Sequence, residues 1–222
     1  MINKVNYLRI ATEEAFAPSE MLDIYRKILA RNDVDPDFKG LMGFYMSSPS
    51  ARATHIMRCL TDLDQVRLQH MDEAGIDHQE IALTAPGVQV MDKATAVSFS
   101  QSANDQLAEA VRLHPTRFTG MIAVAPQDPA AAAKEIERGV SKLGMHSVII
   151  NSHTQGRYLS DPKFWDIFAA TEAHDVPIYL RPNSLPKKHD RTLSRVWFGW
   201  GDLWLWRGDG FACATNHHFR CV

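Results

Sequence analysis

The sequence lacks the features that mark several large classes of protein. It carries 24 basic and 26 acidic residues, a formal net charge of −2, without a run of basic residues. Such a chain has no electrostatic basis for binding nucleic acid or an anionic membrane. No apolar stretch approaches the roughly 20 residues that span a bilayer. Residues 1–6 also lack the charged-then-apolar layout of a secretory signal peptide.

Functions based on cysteine or on a dinucleotide are also disfavoured. The three cysteines, Cys59, Cys213 and Cys221, are odd in number and have no metal-ligand spacing, which fits a reducing cytoplasm. No G-x-G-x-x-G motif follows the first predicted strand, and this argues against a dinucleotide site. The chain of 222 residues is 45% hydrophobic, which is enough for one sizeable core.

What is present is an alternation of strands and helices. Short, continuous apolar runs predict five strands, which begin near Leu8, Glu80, Phe118, Ser147 and Pro177. Continuous apolar strands joined by helices are typical of a parallel sheet buried on both faces. An open doubly wound sheet and a (β/α)8 barrel both fit this pattern. Because polar residues stand at the carboxyl ends of the strands, the barrel is favoured.

Cap residues and prolines predict where several helices begin. Asp128-Pro129 and Asp161-Pro162 each place a capping side chain before a proline in the first turn. Ser48-Pro49 predicts the start of one long helix that ends at Gly75. Residues 32–50, rich in Gly, Pro, Asp and Ser, are predicted to form a long loop and a candidate active-site lid.

Side chains able to do chemistry gather at the predicted strand ends. The first strand runs into Glu13 and Glu14, whose oxygens suit a hard or borderline divalent metal, although a solvated strand end is the alternative. The other histidines, on helices, turns or strand starts, are interpreted as structural. The strand-end positions are Glu13, Thr84, Gln127, Asn151, His153 and Arg181.

Five motifs occur in order and together resemble a known family. They are Thr12–Ala17, Gly43–Tyr45 with Ser48–Thr54, Leu83–Gln89, Val124–Pro129 and Asn151–Leu159. The chain resembles the amidohydrolase superfamily of metal-dependent (β/α)8 barrels over roughly residues 7–187. Within that superfamily it looks closest to 5-carboxyvanillate decarboxylase and more distantly like γ-resorcylate (2,6-dihydroxybenzoate) decarboxylase.

The resemblance implies roles for individual residues. Glu13 matches the first-strand glutamate that binds a divalent metal, Mn²⁺ or Zn²⁺, while Ala15 stands where many amidohydrolases have a histidine. A guanidinium such as that of Arg52 is a suitable partner for a benzoate-type acid, because it binds carboxylate in a forked geometry. The residues implied to line the substrate pocket are Tyr45, Arg52, Thr84 and His153.

Two departures from the family pattern are evident. Arg181 occupies the position of the family's fifth-strand histidine ligand, and arginine cannot donate a lone pair to a metal. The family's histidine after strand six and aspartate after strand eight are not found. Residues 1–187 are therefore predicted to be an incomplete (β/α)8 barrel of the TIM type, with about five βα units.

Residues 188–222 are predicted to be an out-of-frame or disordered tail. Four of the five tryptophans lie there, and a shift of one base converts every tryptophan codon into a glycine codon. The adenine-rich codons available to Lys187-Lys188 are a common place to lose or gain a base. The alternative is a genuine Trp-rich segment that binds a partner or a membrane surface.

The implied reaction is the metal-dependent, non-oxidative decarboxylation of a small, hydroxylated aromatic acid in the cytoplasm. With the family's second and third ligands and its ring-protonating acid missing, the chain as written is expected to be an inactive fragment. Full-length members of the family are usually homo-oligomers. Two alternatives remain open: a hydrolase of a lactone or amide within the same superfamily, and a non-catalytic binding module.

Overall fold

The computed structural model describes residues 7–34 and 36–181 as an α/β fold. The strands are β1 Ile10–Phe16, β2 His78–Leu83, β3 Phe118–Ala123, β4 Ser147–Asn151, β5 His153–Thr154, β6 Arg157–Tyr158 and β7 Ile178–Arg181. The helices are α1 Ser19–Leu29, α2 Pro36–Ser47, α3 Ala51–Thr61, α4 Gln65–Ala74, α5 Lys93–Leu113, α6 Pro129–Ser141 and α7 Trp165–Ala173. Two short 3₁₀ helices cover Gly87–Val90 and Pro162–Phe164.

Five of the strands form one parallel sheet with the order β1-β2-β3-β4-β7. Neighbouring strands are joined by helices, as parallel pairing requires. The short strands β5 and β6 form a separate antiparallel hairpin after β4. The five predicted strands are thus confirmed in number, order along the chain and direction.

The sheet is curled into part of a barrel. A flat sheet would separate its edge strands β1 and β7 by about 19 Å, four times the usual strand spacing. Instead, Nε of Arg181 on β7 lies 2.6 Å from Oε1 of Glu13 on β1. The described residues therefore form an incomplete TIM-type barrel, in agreement with the prediction.

The core lies between the sheet and its helices. Ile81 on β2, together with Phe118 and Ile122 on the central strand β3, is fully buried. A Cβ placed on Gly139 of α6 would lie 2.7 Å from Cδ1 of Ile122, so this glycine lets the helix backbone approach β3 closely. The same core includes Phe164, at the end of the second 3₁₀ helix, and Ile167 on α7.

The predicted starts of α6 and α7 are confirmed. The Asp128 side chain accepts a hydrogen bond from the backbone N–H of Ala131, with Pro129 in the first turn of α6. The Asp161 side chain accepts a hydrogen bond from the backbone N–H of Lys163 and so caps the 3₁₀ turn that leads into α7. In both cases the side chain satisfies a donor that has no partner inside the helix.

Two predictions between β1 and β2 are wrong. The predicted loop of residues 32–50 contains a helix, α2, and the single long helix predicted up to Gly75 is two helices, α3 and α4. The break occurs because Oδ1 of Asp62 accepts hydrogen bonds from the backbone N–H groups of Asp64 and Arg67, which starts a new helix. Ser50, rather than Ser48, caps α3.

The predicted tail, residues 188–222, lies outside the described residues. Within the part of the chain that the structure describes, no helix combines the length and the apolar character that crossing a bilayer requires.

Candidate active site at the strand ends

Glu13 lies at the centre of the candidate site and is held by two donors from β7. Its Oε1 accepts from Nε of Arg181 at 2.6 Å, and its Oε2 accepts from the Tyr179 hydroxyl at 2.5 Å. The side chains of Glu13 and Arg181 are 25% and 23% exposed, so the ion pair is largely shielded from water. Both carboxylate oxygens are therefore already engaged by hydrogen-bond donors.

The position of Glu13 follows from a local irregularity in β1. The register with β2 shifts between Ala11 and Glu14, and Glu13 has φ +65°. A glutamate in the left-handed region is uncommon, and such backbone conformations persist where surrounding contacts hold them. The bulge re-aims the Glu13 side chain towards β7, where it meets Arg181.

The residues around Glu13 do not fit a divalent metal. The guanidinium of Arg181 has donors and no lone pair, and its positive charge repels a cation. With Tyr179 on the second oxygen, each carboxylate oxygen already accepts a hydrogen bond from a protein donor. The arginine found at position 181, where the family has a histidine, is therefore the counter-ion of Glu13 in this structure.

Three neighbouring strands present polar atoms for which the described part of the chain supplies no hydrogen-bond partner. These buried atoms are Oε1 of Gln127 after β3, Oδ1 of Asn151 at the end of β4, and Nη1 of Arg181 at the end of β7. Leaving a buried polar atom unpaired costs about 1–3 kcal/mol. A polar ligand with one acceptor and two donors would satisfy these three atoms.

The side chain of Gln89 fixes the backbone next to these atoms. Its Nε2 donates to the carbonyl oxygens of Asn151 and His153 and to Oγ1 of Thr154, at 2.6–2.8 Å. Its Oε1 accepts from the backbone N–H of Asn151 at 2.7 Å. The 3₁₀ turn that carries Gln89 is anchored in turn, because the Tyr25 hydroxyl donates to the carbonyl oxygen of Gly87.

Gly87 is required at this point for two reasons. Its φ is +64°, a conformation that side-chain-bearing residues rarely adopt. A Cβ there would lie 2.8 Å from Nδ2 of Asn151, so any larger residue would displace the amide. The turn after β2 and the end of β4 are therefore built as one unit.

The structure places the other predicted substrate residues on several elements. Thr84 is buried directly after β2, and its backbone N–H donates to the carbonyl oxygen of Phe16. His153 is half-buried on β5, with its ring centroid 5.9 Å from that of Tyr158. Tyr45 is half-buried on α2, and Arg52 is exposed in the first turn of α3. Their substrate roles stay predictions.

A second cluster was missed by the sequence analysis. His55 and Cys59 on α3 and His70 on α4 bring three ligand atoms within 4.8 Å of one another. The signal was available in part, because His55 and Cys59 are four residues apart and share one face of a helix. The contribution of His70 depends on how α3 and α4 are arranged, which the prediction of a single helix did not anticipate.

Comparison with known proteins places this geometry in a family. A curled parallel sheet with polar groups at its strand ends defines a protein of the α/β-barrel class. The sequence matches the model of the amidohydrolase family over residues 36–203, and the chain belongs to that family. The resemblance inferred from the five motifs is confirmed.

The individual relatives reported below are named as decarboxylases. One relative is 5-carboxyvanillate decarboxylase from Novosphingobium aromaticivorans, whose crystal structure contains manganese and 3-methoxy-4-hydroxy-5-nitrobenzoic acid. It is 46% identical to this chain, with a TM-score of 0.82, and the match covers 85% of this chain and 55% of that chain. The same enzyme from Sphingomonas paucimobilis has 37% identity and a TM-score of 0.82, covering 95% and 61%.

A relative known from sequence agrees with these structures. The γ-resorcylate decarboxylase of Rhodococcus jostii (strain RHA1) is 34% identical over 196 residues, which are 83% of this chain and 53% of the relative. The chain therefore spans little more than half of the length of these relatives.

Proposed function

We propose that the strand ends bind a small, hydroxylated aromatic carboxylic acid, within a protein whose complete reaction is non-oxidative decarboxylation of that acid. The observation that carries the proposal is a set of buried atoms, in Gln127, Asn151 and Arg181, that find no hydrogen-bond partner among the described residues. A ligand that satisfies all three has one anionic acceptor for the guanidinium and hydroxyl donors for the two amide oxygens. Hydroxybenzoates have this combination.

The same residues define how the acid would be held. Nη1 of Arg181 donates to the carboxylate while its Nε remains paired with Glu13, so the guanidinium bridges ligand and protein. The oxygens of Gln127 and Asn151 accept from ring hydroxyl groups. The backbone support from Gln89 keeps the Asn151 amide in place as the ligand enters.

The residues named by resemblance complete the proposed pocket. Thr84 and His153 follow strands β2 and β4, on the side of the sheet where the unpaired atoms lie. Tyr45 and Arg52 belong to the segment between β1 and β2, from which they would close over the acid. The solved relative with a bound nitrobenzoic acid supports a ligand of this class.

We further propose that the chain as written does not turn the acid over. The solved relative from Novosphingobium aromaticivorans holds manganese, whereas here Glu13 is paired with Arg181. A guanidinium orients a carboxylate, but it supplies neither the coordination template nor the Lewis acidity of a metal ion. The proposed activity of this chain is therefore binding without decarboxylation, and homo-oligomers and a cytoplasmic location are proposed by analogy with the family.

The test is a calorimetric titration of the full chain with 2,6-dihydroxybenzoate, which has one carboxylate and two ring hydroxyl groups, with and without manganese. Binding that does not depend on manganese is expected, and Arg181→Met should weaken it by at least about tenfold, because the lost contact is a charge-assisted hydrogen bond. Arg157→Met, which removes an exposed arginine on β6, is the matched control.

Carbon dioxide release is measured in the same samples. No release is expected from the wild-type chain in either condition. Turnover by the manganese-loaded protein would overturn the proposal of an inactive site, and equal affinities of wild type and Arg181→Met would overturn the binding mode.

A further inference from the structure

The cluster of His55, Cys59 and His70 has the composition and spacing of a metal site. Sγ of Cys59 lies 3.5 Å from Nε2 of His55 and 4.0 Å from Nδ1 of His70. The two imidazole ring centroids are 5.5 Å apart. In a tetrahedral zinc site, the usual Zn–S and Zn–N bond lengths place sulfur and nitrogen ligands about 3.6 Å apart. The three side chains are therefore arranged almost as a bound ion would require.

The arrangement is not explained by packing. Among the described residues, one group of three metal-ligating side chains brings its ligand atoms within 4.8 Å of one another, and it is this cluster. His55 and His70 are exposed and Cys59 is half-buried, so none of the three fills the core. Two imidazoles and a thiol that converge at a surface, on two different helices, gain little from hydrophobic burial.

The three ligands border an open cleft of about 340 Å³. Its other walls include Glu14 and Ala15 of β1 and Arg67 of α4. Three protein ligands beside an accessible cleft correspond to a zinc site with an open fourth position. A water molecule can occupy that position.

The charges around the cleft are compatible with a cation. Arg67 is buried, and the charges of Glu14, Asp62 and Cys59 lie close enough to act on its guanidinium. Its guanidinium is also committed to fixed acceptors, the backbone oxygens of Asp62 and Ala15 and Oε1 of Gln79. The positive charge of Arg67 is therefore balanced by neighbouring acids.

We propose that His55, Cys59 and His70, on α3 and α4, bind a divalent metal ion of the zinc class. Thiolate and imidazole ligands favour zinc and its chemical analogues over manganese, which prefers oxygen ligands. The ion joins α3 to α4 across the break at Asp62–Asp64, so it stabilises this pair of helices. The proposal does not rest on the aromatic-acid site.

The first experiment uses cobalt as a spectroscopic substitute for zinc on the full chain. The expected result is one equivalent of tightly bound Co²⁺ with thiolate-to-cobalt charge-transfer absorption and the d–d bands of a tetrahedral site. Zinc should displace it stoichiometrically, whereas manganese should not. Cys59→Ser, His55→Asn and His70→Asn should each weaken binding by at least about 100-fold, because each removes a direct ligand.

The controls separate this cluster from other thiols and imidazoles. His146→Asn removes an exposed histidine before β4, and the double variant Cys213→Ser/Cys221→Ser removes the remaining cysteines. Both should retain the charge-transfer band, as should Glu13→Gln. Loss of the band in the double variant, its persistence in Cys59→Ser, or its absence from the wild type would each overturn the proposal.

A second measurement needs no substitution. Zinc should slow alkylation of Cys59 by iodoacetamide at least about tenfold, as followed by peptide mass spectrometry, because a coordinated thiolate is shielded. Zinc at 100 times its Kd should also raise Tm by about 5 °C or more. Alkylation of Cys59 at the same rate with and without zinc would show that this cysteine is an ordinary surface thiol and not a ligand.

Discussion

At the scale of single residues, position 181 decides the chemistry of the strand ends. Replacing Arg181 with histidine removes the cation paired with Glu13 and introduces an imidazole nitrogen that can ligate a metal. Arg181→His should therefore raise the affinity for Mn²⁺ at least about tenfold over wild type. Arg181→Met removes the same charge without adding a ligand. Comparing the two variants therefore separates the effect of the lost charge from the effect of the new ligand.

This prediction is measured by the loss of the electron paramagnetic resonance signal of free manganese during titration. A ranking of histidine above methionine above arginine is expected. Equal affinities for Arg181→His and the wild type would show that Arg181 does not control metal access to Glu13.

Which residues form the site was only partly readable from the sequence. Polar residues after predicted strands identified Glu13, Gln127, Asn151 and Arg181 as neighbours, because parallel strands end at one edge of a sheet. The clamp made by Gln89 was not foreseen, since a glutamine in a turn has no periodic signal. Its role appears only when the turn after β2 packs against the end of β4.

At the scale of elements, Asn104 joins a helix to the central strand. Its Nδ2 donates to the carbonyl oxygen of Ala123 and to Oε1 of Glu135, and its Oδ1 accepts from the backbone N–H of Ala123. Asn104→Ala leaves these buried groups unpaired, which should lower the free energy of unfolding by about 2–4 kcal/mol.

Urea unfolding followed by circular dichroism measures this loss. Gln106→Ala on the exposed side of the same helix is the matched control and should change stability by less than about 0.5 kcal/mol. Similar effects for the two variants would mean that the Asn104 amide is not a structural link.

The cap of α6 gives a pH-dependent prediction. The hydrogen bond from the backbone N–H of Ala131, with help from Lys93, holds the pKa of Asp128 below its usual value. A lowered pKa contributes stability above the unfolded-state pKa of about 4, and this contribution disappears as the pH falls through the folded-state pKa. Asp128→Asn keeps the cap without the charge, so its deficit relative to wild type should be largest at neutral pH and vanish in acid.

The difference in stability between wild type and Asp128→Asn is measured by thermal unfolding at several pH values between neutral pH and about pH 3. Asp128→Ala, which also loses the capping hydrogen bond, should be less stable than wild type by about 0.5–2 kcal/mol at neutral pH. A constant difference between wild type and Asp128→Asn across this range would contradict the assignment.

Elements were predictable where local signals agreed and failed where they competed. The starts of α6 and α7 follow from cap-and-proline pairs that the structure confirms. In residues 32–50, glycines and prolines indicated a loop, yet Phe38 and Met42 are buried in α2. Tertiary burial of these apolar side chains outweighed the weak local helix preference.

At the scale of the whole molecule, one core supports the curled sheet. Phe118 on β3 is fully buried, whereas Phe44 on α2 is 60% exposed. Phe118→Ala should lower the free energy of unfolding by about 3–5 kcal/mol, because it removes a large buried side chain and leaves a cavity. Phe44→Ala should change it by less than about 0.5 kcal/mol.

Chemical denaturation of the two variants tests this difference. A small effect of Phe118→Ala would mean that β3 is not central to the stability of the sheet. The fold class itself was predictable, because five apolar strands alternating with helices allow few arrangements. The way the two sheet edges meet was not, since it depends on a bulge in β1 and on side chains from β7.

The contact between Tyr179 and Glu13 also constrains the order in which the chain matures. It joins residues 166 positions apart, so Glu13 leaves the ribosome long before its partner exists. At usual elongation rates this interval is roughly 8–33 s. During that time the glutamate has no counter-ion from β7, and the bulged strand lacks the contacts that hold it. The closing of the curled sheet is therefore a late event in biosynthesis, although β1 can pair with β2 much earlier.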